Sequence, residues 1–228
     1  MIDGHLRTSI EKGLKPVGNN LRKAGITADH LTLLGVVMAV AACGAIASGH
    51  LELGLFLLIL SAIPDALDGA VAKASGTASP RGAFFDSTAD RVTDALLLGG
   101  VAWYLASTNP GRIAILPMAV LAASMLISYE RARAESLGFD AKGGLMERAE
   151  RLALLAVGLL FDGLLIPILW LMLVLTVFTA VQRFVKVWLQ ASVERPRSSS
   201  TRRTPRRPRA SARVSLASRR SRSSRPLP

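Results

Sequence analysis

Cysteine is almost absent. The 228 residues hold one, Cys43. A single thiol excludes an intrachain disulfide, and in an apolar run it reads as a small core residue. The three histidines, His5, His30 and His50, are scattered, which excludes a histidine-built metal cluster. Aromatic residues make up 5% of the chain, too few to supply the stacking platforms that single-stranded nucleic acid requires. The first 30 residues lack an apolar core, so they do not read as a signal peptide. No internal repeat is present. The last 34 residues contain no acid at all, yet hold twelve arginines.

Apolar length is what the chain has in abundance. Half the residues are hydrophobic and the mean hydropathy is +0.38, high for a soluble domain. Six apolar segments lie near 30–49, 51–72, 83–107, 112–136, 146–161 and 163–189. A span needs about 20 residues, so the fifth is short. Lipid offers no partner for open backbone groups, so each segment must be helical. The expected fold is an all-α integral membrane protein with six transmembrane helices. Ahead of them, Ile2, Leu6, Ile10, Leu14 and Val17 fall at helical spacing and predict an amphipathic helix on the membrane surface over 1–27.

Charge divides the chain into parts. The net charge of +12 belongs to the tail, because residues 1–194 hold 16 basic and 16 acidic side chains. Residues 28–190 form the six-helix domain. Residues 191–228, rich in Arg, Ser and Pro, read as a disordered tail. Such a tail either binds anionic headgroups or is simply solvated on the cytoplasmic side. No nucleic-acid partner is expected. Basic residues cluster in the N-terminal arm (Arg7, Lys12, Lys15, Arg22, Lys23), between spans two and three (Lys73, Arg81) and between spans four and five (Arg131, Arg133, Lys142, Arg148, Arg151). Arg112 alone lies on the other side. The positive-inside rule then puts both termini in the cytoplasm.

Four acids interrupt the apolar pattern. Asp65 and Asp68 are three apart near the end of span two; Asp86 and Asp90 are four apart near the start of span three. Each pair shares a helix face, and a short loop lets the pairs converge. A carboxylate deep in a span costs roughly 2.5–3.5 kcal/mol on insertion scales. Carboxylates are hard oxygen ligands, so two divalent cations, Mg²⁺ or Mn²⁺, relieve that cost. Two such ions form a clamp for phosphoryl displacement. Gly69, Ala72 and Gly82 leave room for a phosphate or nucleotide, and Lys73 and Arg81 offset its charge. The plainer alternative, acids capping helix ends, accounts for one or two aspartates but poorly for four. Asp94, one turn deeper, reads as a partner for Arg91 or a polar helix contact.

Asp65-x-x-Asp68-Gly69-x-x-Ala72-Lys73, then eight residues, then Gly82-x-x-x-Asp86-x-x-x-Asp90 resembles the signature of the CDP-alcohol phosphatidyltransferases. One position departs, with Lys73 where the family has Arg. Lysine keeps the charge but loses a bidentate fork. The resemblance covers about residues 1–190. It implies transfer of phosphatidyl from CDP-diacylglycerol to an alcohol with release of CMP, in a bacterial cytoplasmic membrane, by a homodimer. It implies that Asp65, Asp68, Asp86 and Asp90 hold two cations, with Asp65 and Asp86 bridging and Asp90 serving as general base. It further implies that CDP-diacylglycerol is held by Ala28, Asp29, His30, Leu31 and Thr32, by Asp68, Gly69, Ala72 and Lys73, and by Ser79 and Gly82.

The alcohol is addressed by a second stretch, residues 128–152. Ser128-Tyr129, Arg131, Ala132-Arg133-Ala134-Glu135, Glu147-Arg148 and Glu150-Arg151 are similar to the matching region of bacterial phosphatidylinositol-phosphate synthases, with Arg131 in place of Lys. That resemblance implies a phosphorylated inositol as acceptor. A phosphorylated alcohol calls for a cation cluster, which a neutral one does not. Arg131, Arg151 and Arg183, at the ends of three helices, are the candidates for its phosphate. Arg133, Lys142 and Arg148 read as orientation charges or partners of Glu135, Glu147 and Glu150. Glycerol 3-phosphate or free inositol are alternative acceptors. An ion-coupled transporter would call for broken helices or paired repeats, and a simple membrane anchor leaves the aspartates without a role.

Overall fold

The computed structural model describes residues 27–75 and 79–192, with side chains omitted over 64–75; the described residues belong to one compact unit, Met1–Val193. All regular structure among them is helical. The helices are α1 (Ala28–Ala47), α2 (Leu51–Ser75), α3 (Pro80–Thr108), α4 (Ile115–Ser136), α5 (Arg148–Leu160) and α6 (Leu165–Ser192), with one 3₁₀ turn at Asp162–Leu164. They follow the six apolar segments read from the sequence. The surface helix expected over 1–27 and the tail expected over 191–228 fall almost wholly outside the described residues.

Local chemistry sets the helix starts near the four-aspartate segment. Thr27 caps α1: its Oγ1 accepts from the His30 amide at 3.3 Å, and His30 Nδ1 accepts from the Thr27 amide at 3.4 Å. This reciprocal pair satisfies two otherwise orphaned donors, with histidine in the place usually taken by Glu or Gln. Ser79 caps α3 by accepting from the Gly82 amide at 3.1 Å, and Pro80 occupies the first helical position, where a missing N–H costs nothing. Gly49, with φ of 82°, turns the chain tightly from α1 into α2.

The helix α1 packs on α2 and α3, α3 on α4, α4 on α6, α5 on α6, and α2 on α5. One apolar core joins all six, through residues such as Ile46, Leu58, Leu97, Val120, Leu159 and Leu169. Where α1 crosses α3 the backbones touch. A Cβ on Gly100 would lie 2.9 Å from the Cys43 carbonyl oxygen, so only glycine fits that crossing.

Large apolar side chains also cover the outside. Val37 and Val40 on α1, Phe56 and Ile59 on α2, and Val174 and Phe178 on α6 are all exposed. An apolar exterior on apolar helices is the pattern of a protein solvated by lipid. Three described helical stretches are long and apolar enough to cross a membrane: Ala28–Ala47, Ile115–Ser136 and Asp162–Ser192. The other expected spans fall short of that measure for visible reasons. The helix α3 carries Arg81, Asp86, Asp90, Arg91 and Asp94 in its first half, and α5 has only 13 residues.

Candidate active site

Polar side chains that are buried gather at one end of the bundle. Thr93 and Asp94 on α3, Arg151 on α5, and Thr179 and Arg183 on α6 are all less than a tenth exposed. Burying such groups is costly unless each finds a partner.

The helix α3 presents Asp86, Asp90 and Asp94 at four-residue intervals, hence along one face. Asp86 Oδ1 is enclosed, and the Asp90 side chain is 19% exposed. Two arginines from the first turn of α5 meet this face. Arg148 Nη1 donates to Asp90 Oδ1 at 2.8 Å, and its Nε lies 3.5 Å from Asp94 Oδ1. Arg151 Nη2 donates to Asp94 Oδ2 at 2.7 Å, with both side chains almost fully buried. On the flank, Arg91 donates to Ser128 on α4 and lies 3.5 Å from Asp90 Oδ2.

Of the two roles read for Asp94, the structure gives the polar helix contact: it engages Arg148 and Arg151 across the helix interface. Arg148, read as an orientation charge or the partner of a glutamate, reaches the α3 aspartates. The sequence held a clue to both. Aspartates at i and i+4 on one helix face arginines at i and i+3 on another, a match of spacing between segments more than fifty residues apart.

Asp65, Asp68, Gly69, Ala72 and Lys73 lie on the last turns of α2, and their side chains are outside the described residues. Two of the segments expected to hold the nucleotide, the starts of α1 and α3, lie side by side. A Cβ on Gly82 would be 3.4 Å from Ser79 Oγ and 3.9 Å from Asp29 Oδ1, so the first turn of α1 borders the first turn of α3. Ser79, Gly82 and His30 serve there as cap residues. Leu31 and Thr32 are buried, and Thr32 Oγ1 donates back to the Ala28 carbonyl at 3.1 Å. Behind Asp90 is a cavity of about 10 Å³, bordered by Thr32, Gly35, Ser61, Thr93 and Arg148, a volume and lining suited to one water molecule.

The three expected phosphate-binding arginines come from α4, α5 and α6. Arg183 lies within electrostatic reach of both Arg131 and Arg151. Arg131 is exposed and pairs with Glu135 at 3.1 Å. Arg183 is more tightly engaged: it donates to the carbonyls of Gly143 at 3.0 Å and Ile127 at 3.2 Å, and lies 3.4 Å from Glu147 Oε1. It therefore anchors the 137–147 loop as well as contributing charge. Gly144, with φ of 144°, lets that loop press on α6, where a Cβ would fall 2.4 Å from Thr179 Cγ2. Further out, Asp140 accepts from Lys186 Nζ at 2.9 Å and from the Lys142 amide at 3.0 Å. These bonds, the backbone one foremost, hold its carboxyl below the usual aspartate range.

Comparison with known proteins decides the family. The sequence profile of the CDP-alcohol phosphatidyltransferases matches residues 25–192. The chain belongs to the CDP-alcohol phosphatidyltransferase family. Among curated members of the family, it is 36% identical over 193 residues to the phosphatidylinositol phosphate synthase of Corynebacterium glutamicum, covering 81% of this chain and 88% of that one. It is also 36% identical over 190 residues to the archaetidylinositol phosphate synthase of Methanothermobacter thermautotrophicus, covering 80% and 92%. The fold resembles the crystal structure of Mycobacterium tuberculosis phosphatidylinositol phosphate synthase with CDP-DAG bound, at a TM-score of 0.74 and 33% identity, over 80% of this chain and 97% of that one. The same enzyme in complex with manganese and citrate gives a TM-score of 0.74 at 32% identity, over 80% of this chain and 92% of that one.

Proposed function

We propose that this phosphatidyltransferase moves phosphatidyl from CDP-diacylglycerol to inositol phosphate, giving phosphatidylinositol phosphate and CMP. It does so in a cytoplasmic membrane that its six helices cross, preceded by a surface helix, with both termini on the cytoplasmic side. The observation that carries the acceptor is that Arg183 on α6 lies within electrostatic reach of both Arg131 on α4 and Arg151 on α5, and that Arg151 is bonded to Asp94 on α3. A guanidinium offers five N–H donors in a planar fork, so Arg151 bonded to Asp94 still has capacity for a phosphate oxygen. Three guanidiniums converging from three helices suit a dianionic acceptor far better than a neutral polyol.

The residues also fit a pair of divalent cations. Asp86 and Asp90 present carboxylate oxygens along one face of α3, the hard donors such cations prefer. Asp65 and Asp68, from the adjoining end of α2, complete the donor set. Cations held there supply Lewis-acid polarisation of the transferred phosphoryl group and charge compensation for departing CMP. The chain's own groups do the rest. The first turns of α1 and α3, with Lys73, hold the cytidine diphosphate. The arginines fix the acceptor phosphate. The acceptor hydroxyl oxygen bonds to the β-phosphorus as the bond to CMP breaks, and Asp90 takes the hydroxyl proton.

The test is CMP release by the purified full-length chain supplied with CDP-diacylglycerol, Mg²⁺ and one acceptor at a time. Release should be fastest with inositol phosphate. Faster release with glycerol 3-phosphate or free inositol would move the acceptor assignment, and no release with any of them would remove the reaction.

A further inference from the structure

The four-membered ladder between α3 and α5 has a consequence for how Asp90 meets a cation. Arg148 is shared. Its Nη1 contacts Asp90 Oδ1 at 2.8 Å and its Nε lies 3.5 Å from Asp94 Oδ1. Asp94 is in turn fixed by the buried Arg151 at 2.7 Å. Asp90 is the more accessible carboxylate, at 19% side-chain exposure against 4% for Asp94. One guanidinium therefore stands between a carboxylate that faces the reaction space and one sealed in the core.

We propose that Asp94 is a positioning residue: anchored by Arg151, it draws Arg148 between two carboxylates and so limits how firmly Arg148 occupies Asp90, the carboxylate that a divalent cation and the acceptor hydroxyl both need. The proposal rests on the cation reading of Asp86 and Asp90 given above. Its physical basis is competition. An arginine and a metal ion cannot both neutralise the same carboxylate oxygen at full strength. With Asp94 charged, Arg148 has a second anion within reach and its attraction is divided. With Asp94 replaced by a neutral residue, that second anion is gone and a larger share of Arg148's attraction falls on Asp90.

The experiment measures Mn²⁺ binding to the full-length protein by electron paramagnetic resonance, without substrate. Asp94→Asn should weaken Mn²⁺ binding by about 10- to 100-fold, the usual cost of losing a group that orients a metal ligand. Arg148→Gln added to Asp94→Asn should restore most of the lost affinity, because the competitor is gone. A role for Asp94 in packing alone predicts no such rescue, since the double variant would have lost still more of the interface. Melting midpoints of both variants accompany the binding curves. Unchanged Mn²⁺ affinity in Asp94→Asn, or a further loss in the double variant, would overturn the proposal. Failure of the cation reading looks different, as the unmutated protein would then bind no Mn²⁺.

Discussion

Replacing Gly100 by alanine should destabilise the bundle, while the same change at Gly99 should not. The added Cβ at 100 would sit 2.9 Å from the carbonyl oxygen and 3.1 Å from the Cα of Cys43, both backbone atoms that no rotamer change can move. The α1–α3 crossing would have to open by roughly half an ångström, losing dispersion contacts along its length. Overpacking of this kind costs about 1–3 kcal/mol. For a chain of this size each kcal/mol lowers the melting midpoint by about 2–4 °C, so the loss should be roughly 2–12 °C. Gly99 has no atom within 4 Å of its would-be Cβ. Alanine there should gain helix propensity of up to about 1 kcal/mol. The one cysteine supplies the assay: a dye that fluoresces on reacting with thiols reports when Cys43, at the crossing itself, becomes accessible on heating. Equal melting of the two variants would refute the close-approach reasoning. So would a lower midpoint for Gly99→Ala than for Gly100→Ala.

Three further outcomes are expected. Asp90→Asn should lower turnover by about 10²–10⁴-fold, the usual contribution of a general base, while CDP-diacylglycerol binding persists; near-normal turnover would remove the base assignment. Arg151→Gln should raise the KM for inositol phosphate much more than that for CDP-diacylglycerol. Because it leaves Asp94 buried beside one cation fewer, it should also cost about 3–5 kcal/mol of stability, and equal effects on both KM values would leave only the structural part. Asp140 sets an acid limit on the 137–147 loop. Its folded-state pKa is depressed, so its contribution is present above the unfolded aspartate value of about 3.9 and is lost as pH falls through the lower folded value. The melting difference between the native protein and Asp140→Asn should therefore be steady at pH 5–7 and shrink toward pH 3, whereas a constant difference would contradict the ion-pair origin.

The helices were legible because lipid leaves a chain no other secondary structure, and because runs such as 30–49 and 163–189 are too apolar to read otherwise. The reaction class was legible because the aspartate spacing is local, confined to 26 residues. The connection of α3 to α5 was not. Asp94 and Arg151 are 57 positions apart, and nothing in either segment alone states that their faces meet. Arg183 was assigned by its charge, but its bonds to the carbonyls of Gly143 and Ile127 depend on where a glycine-rich loop folds back, which no periodicity encodes. The caps were half visible. Ser79-Pro80 is an ordinary helix opening, whereas His30 closing the cap on Thr27 is a use of histidine that composition does not announce.

The brevity of α5 bears on where chemistry takes place. Thirteen residues rise only about 20 Å, against a hydrocarbon layer of about 30 Å. If all six helices cross, the shortfall must be met at one end of α5, and its first turn is the end that carries Arg148 and Arg151. Water and headgroups would then follow the protein inward at that point, forming a wet notch several ångströms below the plane of the lipid phosphates. On the proposed topology and acceptor, a sugar phosphate would descend into it from the cytosol, and the donor lipid's pyrophosphate would need to sink only slightly to meet it.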